Sequence, residues 1–276
     1  MQSAYYQGSE TLSLAGRKRS MLLIDELFLF LCRLHMGLLE QDLSVRFSIS
    51  IPTVSRKIVT CAISLYFALG SISIWLSKRK IDDLMPECFK ATCPNTRVII
   101  DCTEIRTQQP SFLVLNSQLC TAYKGTNTFK CLLGIAPHGA VTSISSLYTG
   151  CISDVEITKL TGFRDFIEPG DDVMADKGFT IRKLLSEKDV PLNISPFLSS
   201  KGRFTGKEIQ DTEQIACLRI HVERMNKRIT KNHLFDSAVP MSLAGSINQL
   251  WTVACLLAHF KGPIVKAWAQ SLNKDN

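Results

Sequence analysis

Three acids stand where strand ends and a helix face could gather carboxylates. Asp101 closes the apolar run Arg97-Val98-Ile99-Ile100, Asp176 follows Asp172-Val173-Met174-Ala175, and Glu223 lies within Arg219-Ile220-His221-Val222-Glu223-Arg224. Hard oxygen donors without dedicated His or Cys ligands suit Mg²⁺ or Mn²⁺. Two such ions about 3.5–4 Å apart activate a water or 3′-hydroxyl and stabilise the leaving oxygen of a phosphodiester. A lone Asp or Glu is more often a helix cap or a surface charge. An acid directly after an apolar strand is harder to dismiss. If the strands before Asp101 and Asp176 are neighbours, both carboxylates emerge at one end of the sheet. Helical spacing sets Ile220, Glu223 and Lys227 on one face, from which Glu223 looks back at those ends.

Cations surround this set. Lys124, Lys130 and Lys177 lie near the acids and would neutralise phosphates, or they are ordinary surface lysines, with Lys130 snorkelling from a strand. Arg224, Lys227, Arg228 and Lys231 form a stripe after Glu223 that suits a polyanion and also a solvated helix face. His221 either contacts phosphate or packs in the core. The ten cysteines contain no CxxC pair, so no zinc site is assigned and free thiols in a reducing compartment are expected.

The chain that must position these groups has 276 residues, 45% hydrophobic and 21% charged, a folded composition rather than a disordered or collagenous one. Its net charge of +7 is uneven. Residues 199–276 carry eleven Lys/Arg against six Asp/Glu, whereas residues 96–198 carry ten against eleven. Basic flanks around an acidic centre suit a polyanion binder that holds metal carboxylates in its middle. The uncharged run Ile58–Leu76 is diluted by Thr60, Ser64, Gly70, Ser71 and Ser73, so a soluble helix and turn are expected in place of a membrane span.

The hydrophobic period changes near residue 95. Before it, Leu22, Leu23, Leu27, Phe30, Leu31 and Leu34 fit one helical stripe ended by Gly37, and a second helix is expected over Leu38–Phe47. Ser50 then caps a third, with Pro52 in its first turn. This is a helix-turn-helix layout, with Val54 and Ile58 inward and Thr53, Ser55, Arg56 and Lys57 toward a DNA groove. After residue 95 strands are expected over 97–101, 130–136, 140–148, 172–176 and 191–194. Helices are expected over Asp154–Ile167, Thr212–Thr230 and Ser242–Phe260. That order is a ribonuclease H-like α/β mixed sheet behind an all-α domain. The boundaries read as a loosely ordered tail over 1–19, a helical domain over 20–95 and the catalytic domain over 96–276.

Six segments carry a resemblance: Asp101-Cys102-Thr103-Glu104-Ile105, Tyr123-Lys124 with Thr128-Phe129-Lys130, Gly134 to Gly139, Gly150 to Asp154, Ala175 to Phe179 and Arg219 to Arg224. In this order they resemble the DDE superfamily endonuclease domain of Harbinger-type transposases, and Leu22 to about Leu69 resembles the helix-turn-helix domain that precedes it. The resemblance implies a nuclear enzyme that cuts and joins double-stranded DNA at transposon terminal repeats with two divalent ions, Mg²⁺ or Mn²⁺. It assigns the metal-holding catalytic acids to Asp101, Asp176 and Glu223. Asp154 is a competing choice for the second acid, set aside as a helix cap, and Glu104 is a candidate supporting acid. No cofactor besides the metal and no membrane partner are expected. A homo-oligomer fits. Two readings compete with an active transposase: a domesticated DNA- or protein-binding factor that keeps the fold, and a ribonuclease or other hydrolase on the same core.

Overall fold

The computed structural model describes residues 21–121, 125–176, 178–194, 206–262 and 264. The expected tail, Lys124, Lys177 and the loop from Ser199 fall outside the described residues.

Three helices open the structure: α1 (Leu23–Met36), α2 (Glu40–Arg46) and α3 (Ile51–Gly70). Gly37 stops α1 in the left-handed conformation at φ 68°, where a side chain would also press on the His233 backbone 3.0 Å away. Ser50 occupies the N-cap of α3 and Pro52 its first turn, although the Ser50 hydroxyl bonds the Thr53 hydroxyl at 2.9 Å and caps no N–H. Val54 and Ile58 are fully buried against α1 and α2, the inward pair read from the sequence. Two short helices follow, α4 (Lys78–Asp83) and α5 (Glu87–Thr92). Among the described residues no helix is long and apolar enough to cross a membrane.

The sheet begins with β1 (Thr96–Arg106), followed by the short α6 (Leu113–Leu119) and then β2 (Thr128–Ile135), β3 (Val141–Ile144) and β4 (Tyr148–Thr149). Helix α7 (Asp154–Leu160), β5 (Asp172–Met174), α8 (Arg182–Ser186) and β6 (Leu192–Asn193) come next, then the long α9 (Gly206–Thr230) and α10 (Ile247–Leu257). Strand order is β3-β2-β1-β5-β6, with β4 also on β2. The β3, β2 and β1 pairings are antiparallel, and β1–β5 and β5–β6 are parallel. This is the mixed sheet of a ribonuclease H-like α/β core, with an all-α region in front of it.

The two faces of β1 build two cores. Ile99 and Ile105 join the core that includes α1, α3, α9 and α10, whereas Val98 and Ile100 join one under α7 and α8. The first core runs from Leu29 and Phe30 to Trp251 without a break, so apolar packing continues across residue 95.

Several boundaries differ from the sequence expectation, each for a local reason. β1 does not end at Asp101; it continues to Arg106 because its other edge pairs β2 as far as Arg106 opposite Thr128. The expected strand 140–148 divides into β3 and β4, because the Ser145 hydroxyl accepts the Leu132 N–H at 2.9 Å and the Asn248 side chain accepts the Leu147 N–H. Helix α7 stops at Leu160, where Gly162 at φ 63° turns the chain into a 3₁₀ segment, Phe163–Phe166. The last helix is trimmed to α10 between 3₁₀ turns at Met241–Leu243 and Ala258–Lys261. α9 begins earlier than expected, at Gly206, and β6 keeps only two residues. The short helices α4, α5, α6 and α8 carry too few turns to show a period in sequence.

Candidate active site

The parallel register fixes two of the acids. Ile99 of β1 is paired with Met174 of β5, the last pair of that ladder. Two residues further along each strand stand Asp101 and Asp176, beyond the point where β5 has ended and β1 goes on with β2. Asp101 is therefore mid-strand yet uncovered on its β5 side.

Helix α9 lies over these positions. Its Asn226 donates to Asp101 Oδ2 at 2.7 Å, and the Thr103 hydroxyl donates to Asn226 Oδ1 at 2.7 Å. Asp101 and Thr103 are two apart on β1 and share the face toward α9. Two turns earlier, the Arg219 guanidinium donates to Asp176 Oδ1 at 2.9 Å. Arg219, Glu223 and Asn226 thus stand at i, i+4 and i+7 on the side of α9 that meets the strand ends. The sequence reading set this face one residue off: Ile220 is exposed, while Val222 on the inner side is fully buried. Glu223 is exposed at the edge.

The three acids share one electrostatic field. Burial pushes the Asp101 carboxyl up to about 6; Arg219 and the Cys102 N–H oppose this, and the charges of Asp176 and Glu223 add to it. About two pKa units correspond to roughly 3 kcal/mol against the ionised form. A nearby cation would relieve that strain. The donor set fits a hard divalent ion in kind: carboxylate oxygens, with neutral support from Asn226. Among the described residues no three His, Cys, Asp or Glu side chains are drawn tightly enough to enclose an ion. Arg219 supplies the positive charge on Asp176 instead.

Asp154 belongs to the other face of the sheet. Its carboxylate pairs with Lys130 Nζ at 2.6 Å and, with burial, drives the Cys102 thiol far up. Cys102 alternates with Asp101 along β1 and so points to the opposite side, as does Glu104, whose cross-strand partner is Lys130. Asp154 is not the cap of α7: Ser153 is, accepting the Glu156 N–H at 3.1 Å.

The expected DNA contacts separate into two groups. Arg56 is exposed on the first turns of α3 with Thr53 and Ser55 half-buried beside it, and Arg224 is exposed on α9. Lys57 and Lys130 instead sit in ion pairs within the fold. Lys57 turns inward to the Glu26 carboxylate, which is 1% exposed, and Lys130 is held by Asp154 and the Ile152 carbonyl. Lys57 thereby places a counter-charge on the buried Glu26, and Lys130 one on the half-buried Asp154. Lys124 and Lys177 lie outside the described residues. His221 is buried, 5.9 Å from the Phe89 ring, and burial lowers its pKa; of its two readings the structure has the packed one.

Asn226 and Arg219 carry no role in the sequence reading. The i+3 spacing of Asn226 from Glu223 was visible, but amides are common on helices, and only the β1 contact distinguishes it. Arg219 opens the segment Arg219 to Arg224, but its partner Asp176 lies 43 residues away and is not legible from local sequence.

A family model described as the DDE superfamily endonuclease matches residues 100–259. A second, described as the helix-turn-helix of DDE superfamily endonuclease, matches residues 19–61. No curated protein matches the chain in sequence.

Proposed function

This chain belongs to the DDE superfamily endonucleases, and from that premise we propose that it is a metal-dependent transposase that cuts and joins duplex DNA at transposon ends. The observation that carries the reading is the register of β1 and β5. It sets Asp101 and Asp176 at matching positions past the last parallel pair, with Glu223 on the helix crossing them.

In this mechanism Asp101, Asp176 and Glu223 would hold the divalent ions, Mg²⁺ or Mn²⁺. When bound, the ions activate the attacking oxygen and stabilise the leaving oxygen of the phosphodiester. The chain supplies the rest. Asn226, braced by Thr103, fixes the orientation of the Asp101 carboxylate under α9. Arg219 neutralises Asp176 before catalysis and, once displaced from it, stands ready for a phosphate oxygen. Thr53, Ser55 and Arg56 on α3 read or grip the duplex, and Arg224 next to Glu223 grips the backbone near the cut. Asp154 is assigned to the Lys130 ion pair across the sheet, and the second catalytic acid to Asp176. The substrate is double-stranded terminal-repeat DNA, and the site of action is the nucleus.

End-labelled duplexes with either metal test this. Wild type should nick or cut; Asp101→Asn should lose cleavage by several orders of magnitude and keep duplex affinity. Glu168→Gln, at an exposed position away from the acids, is the control. Wild type that binds duplex and never cuts with either ion would make the domesticated binding factor the better reading.

A further inference from the structure

Beyond the three acids, α9 continues as a basic wall. Lys227 and Arg228 lie three and four residues after Arg224, and Lys231 lies four and three after them, so neighbours on one face repel each other. They line a cleft of about 910 Å³ whose other described lining residues are His35 at the end of α1, Lys261 in the 3₁₀ turn after α10, and Ile264. No acid lines it. Among the described residues none of Arg224, Lys227, Lys231 and Lys261 is in an ion pair. Arg228 differs, since it donates to the Gly262 carbonyl and pins the Lys261 turn against α9. His35 is likewise anchored, to the Asn232 side chain at 3.3 Å. Three separate elements are thus fastened together in an arrangement that crowds cations. The crowding is visible in Lys261, whose pKa is lowered by partial burial and then by Arg228 and Lys231.

We propose that this cleft is a binding site for the sugar–phosphate backbone of duplex DNA, held by Arg224, Lys227, Lys231 and Lys261, and that it carries the segment between the helix-turn-helix and the three acids. The proposal rests on the endonuclease reading for what lies at its catalytic end. Its geometry is suited to the task. Seven residues separate Arg224 from Lys231, about 10 Å along the helix at 1.5 Å per residue. A DNA strand places one phosphate per ~3.4 Å of axis, so the stripe faces about three of them. Its first cation is the residue after Glu223, and its far wall belongs to α1, so a backbone lying in it connects the two regions. Lysines and an unconstrained arginine with no base-reading amide beside them give grip without sequence choice.

The test uses the full chain, a random-sequence 30-base-pair duplex and fluorescence anisotropy in EDTA over a range of KCl. The combined Lys227→Ala, Lys231→Ala, Lys261→Ala variant should lower the slope of log affinity against log salt by about 2.7, at ~0.9 per phosphate contact. Extrapolated at 0.15 M salt, this is about a hundredfold weaker binding. Thermal stability should hold or rise, because repulsive charge is removed. If the alanine variant does not fold, the same three positions changed to Gln keep chain length and give the same readout. Slope and affinity equal to wild type in a folded variant would overturn the cleft, as would a wild-type chain that does not bind this duplex. Because no metal is present, the outcome is separate from cleavage. A wild type that binds through these lysines and never cuts refutes the nuclease and leaves the cleft standing. Normal binding by the variant of an enzyme that cuts refutes the cleft alone.

Discussion

Replacing Asp101 by Asn should make the protein more stable, and by an amount that depends on pH. In the folded state burial, with Asp176 and Glu223 nearby, raises this carboxyl from 3.8 to about 6. Ionised Asp101 therefore costs the folded state about 3 kcal/mol above pH 6, at 1.36 kcal/mol per unit. The sign follows from proton counting. Between pH 4 and 6 the folded state binds more protons than the unfolded state, so stability falls as pH rises through that window. Asn is neutral throughout, and its Oδ1 can still accept from Asn226 Nδ2. The Asp101→Asn advantage should be up to about 3 kcal/mol at pH 8 and should vanish near pH 4. For a chain of this size that is on the order of 5–10 °C in melting temperature. The assay is denaturant or thermal unfolding of both proteins in EDTA from pH 4 to 8. Adding Mg²⁺ should then stabilise wild type by mass action and the variant much less. An advantage that is absent at pH 8, or that is equally large at pH 4, would refute the account of a strained, charge-crowded Asp101.

Four further outcomes are expected. Lys57→Ala should destabilise the fold by roughly 3–5 kcal/mol in chemical unfolding, since it removes the Lys57 counter-charge from the buried Glu26. Arg56→Ala should leave the fold intact and lower the salt slope of duplex binding by about one, measured by anisotropy. Asn226→Ala should cost about 1–3 kcal/mol in unfolding assays and slow cleavage at saturating DNA, because Asp101 and Thr103 lose their shared partner. Gly150→Ala should lower the yield of folded protein and its melting temperature, because its Cβ would meet Thr128 Oγ1 at 2.3 Å and the Leu119 carbonyl at 2.6 Å.

Much of the layout was legible because it depends on neighbours in sequence. The stripe ending at Gly37, the Ser50-Ile51-Pro52 helix start and the inward pair Val54 and Ile58 are set by side-chain period and backbone chemistry within a few residues. The apolar runs before Asp101 and Asp176 likewise announce two strands, each followed by an acid. What the sequence could not decide is partnership. Only pairing with β2 carries β1 on past Asp101, and only the β1–β5 register sets Asp101 level with Asp176. Which side of the sheet an acid faces follows from strand alternation measured against a particular helix, which separates Asp154 from Asp101. The fate of each cation was also tertiary. Lys57, Lys130, Arg56 and Arg224 are alike as sequence, but a buried carboxylate 31 residues from Lys57 and a half-buried one 24 residues from Lys130 hold those two inward. Charge attraction in a poorly solvating interior acts between groups that folding brings together, and local sequence does not record which groups those are.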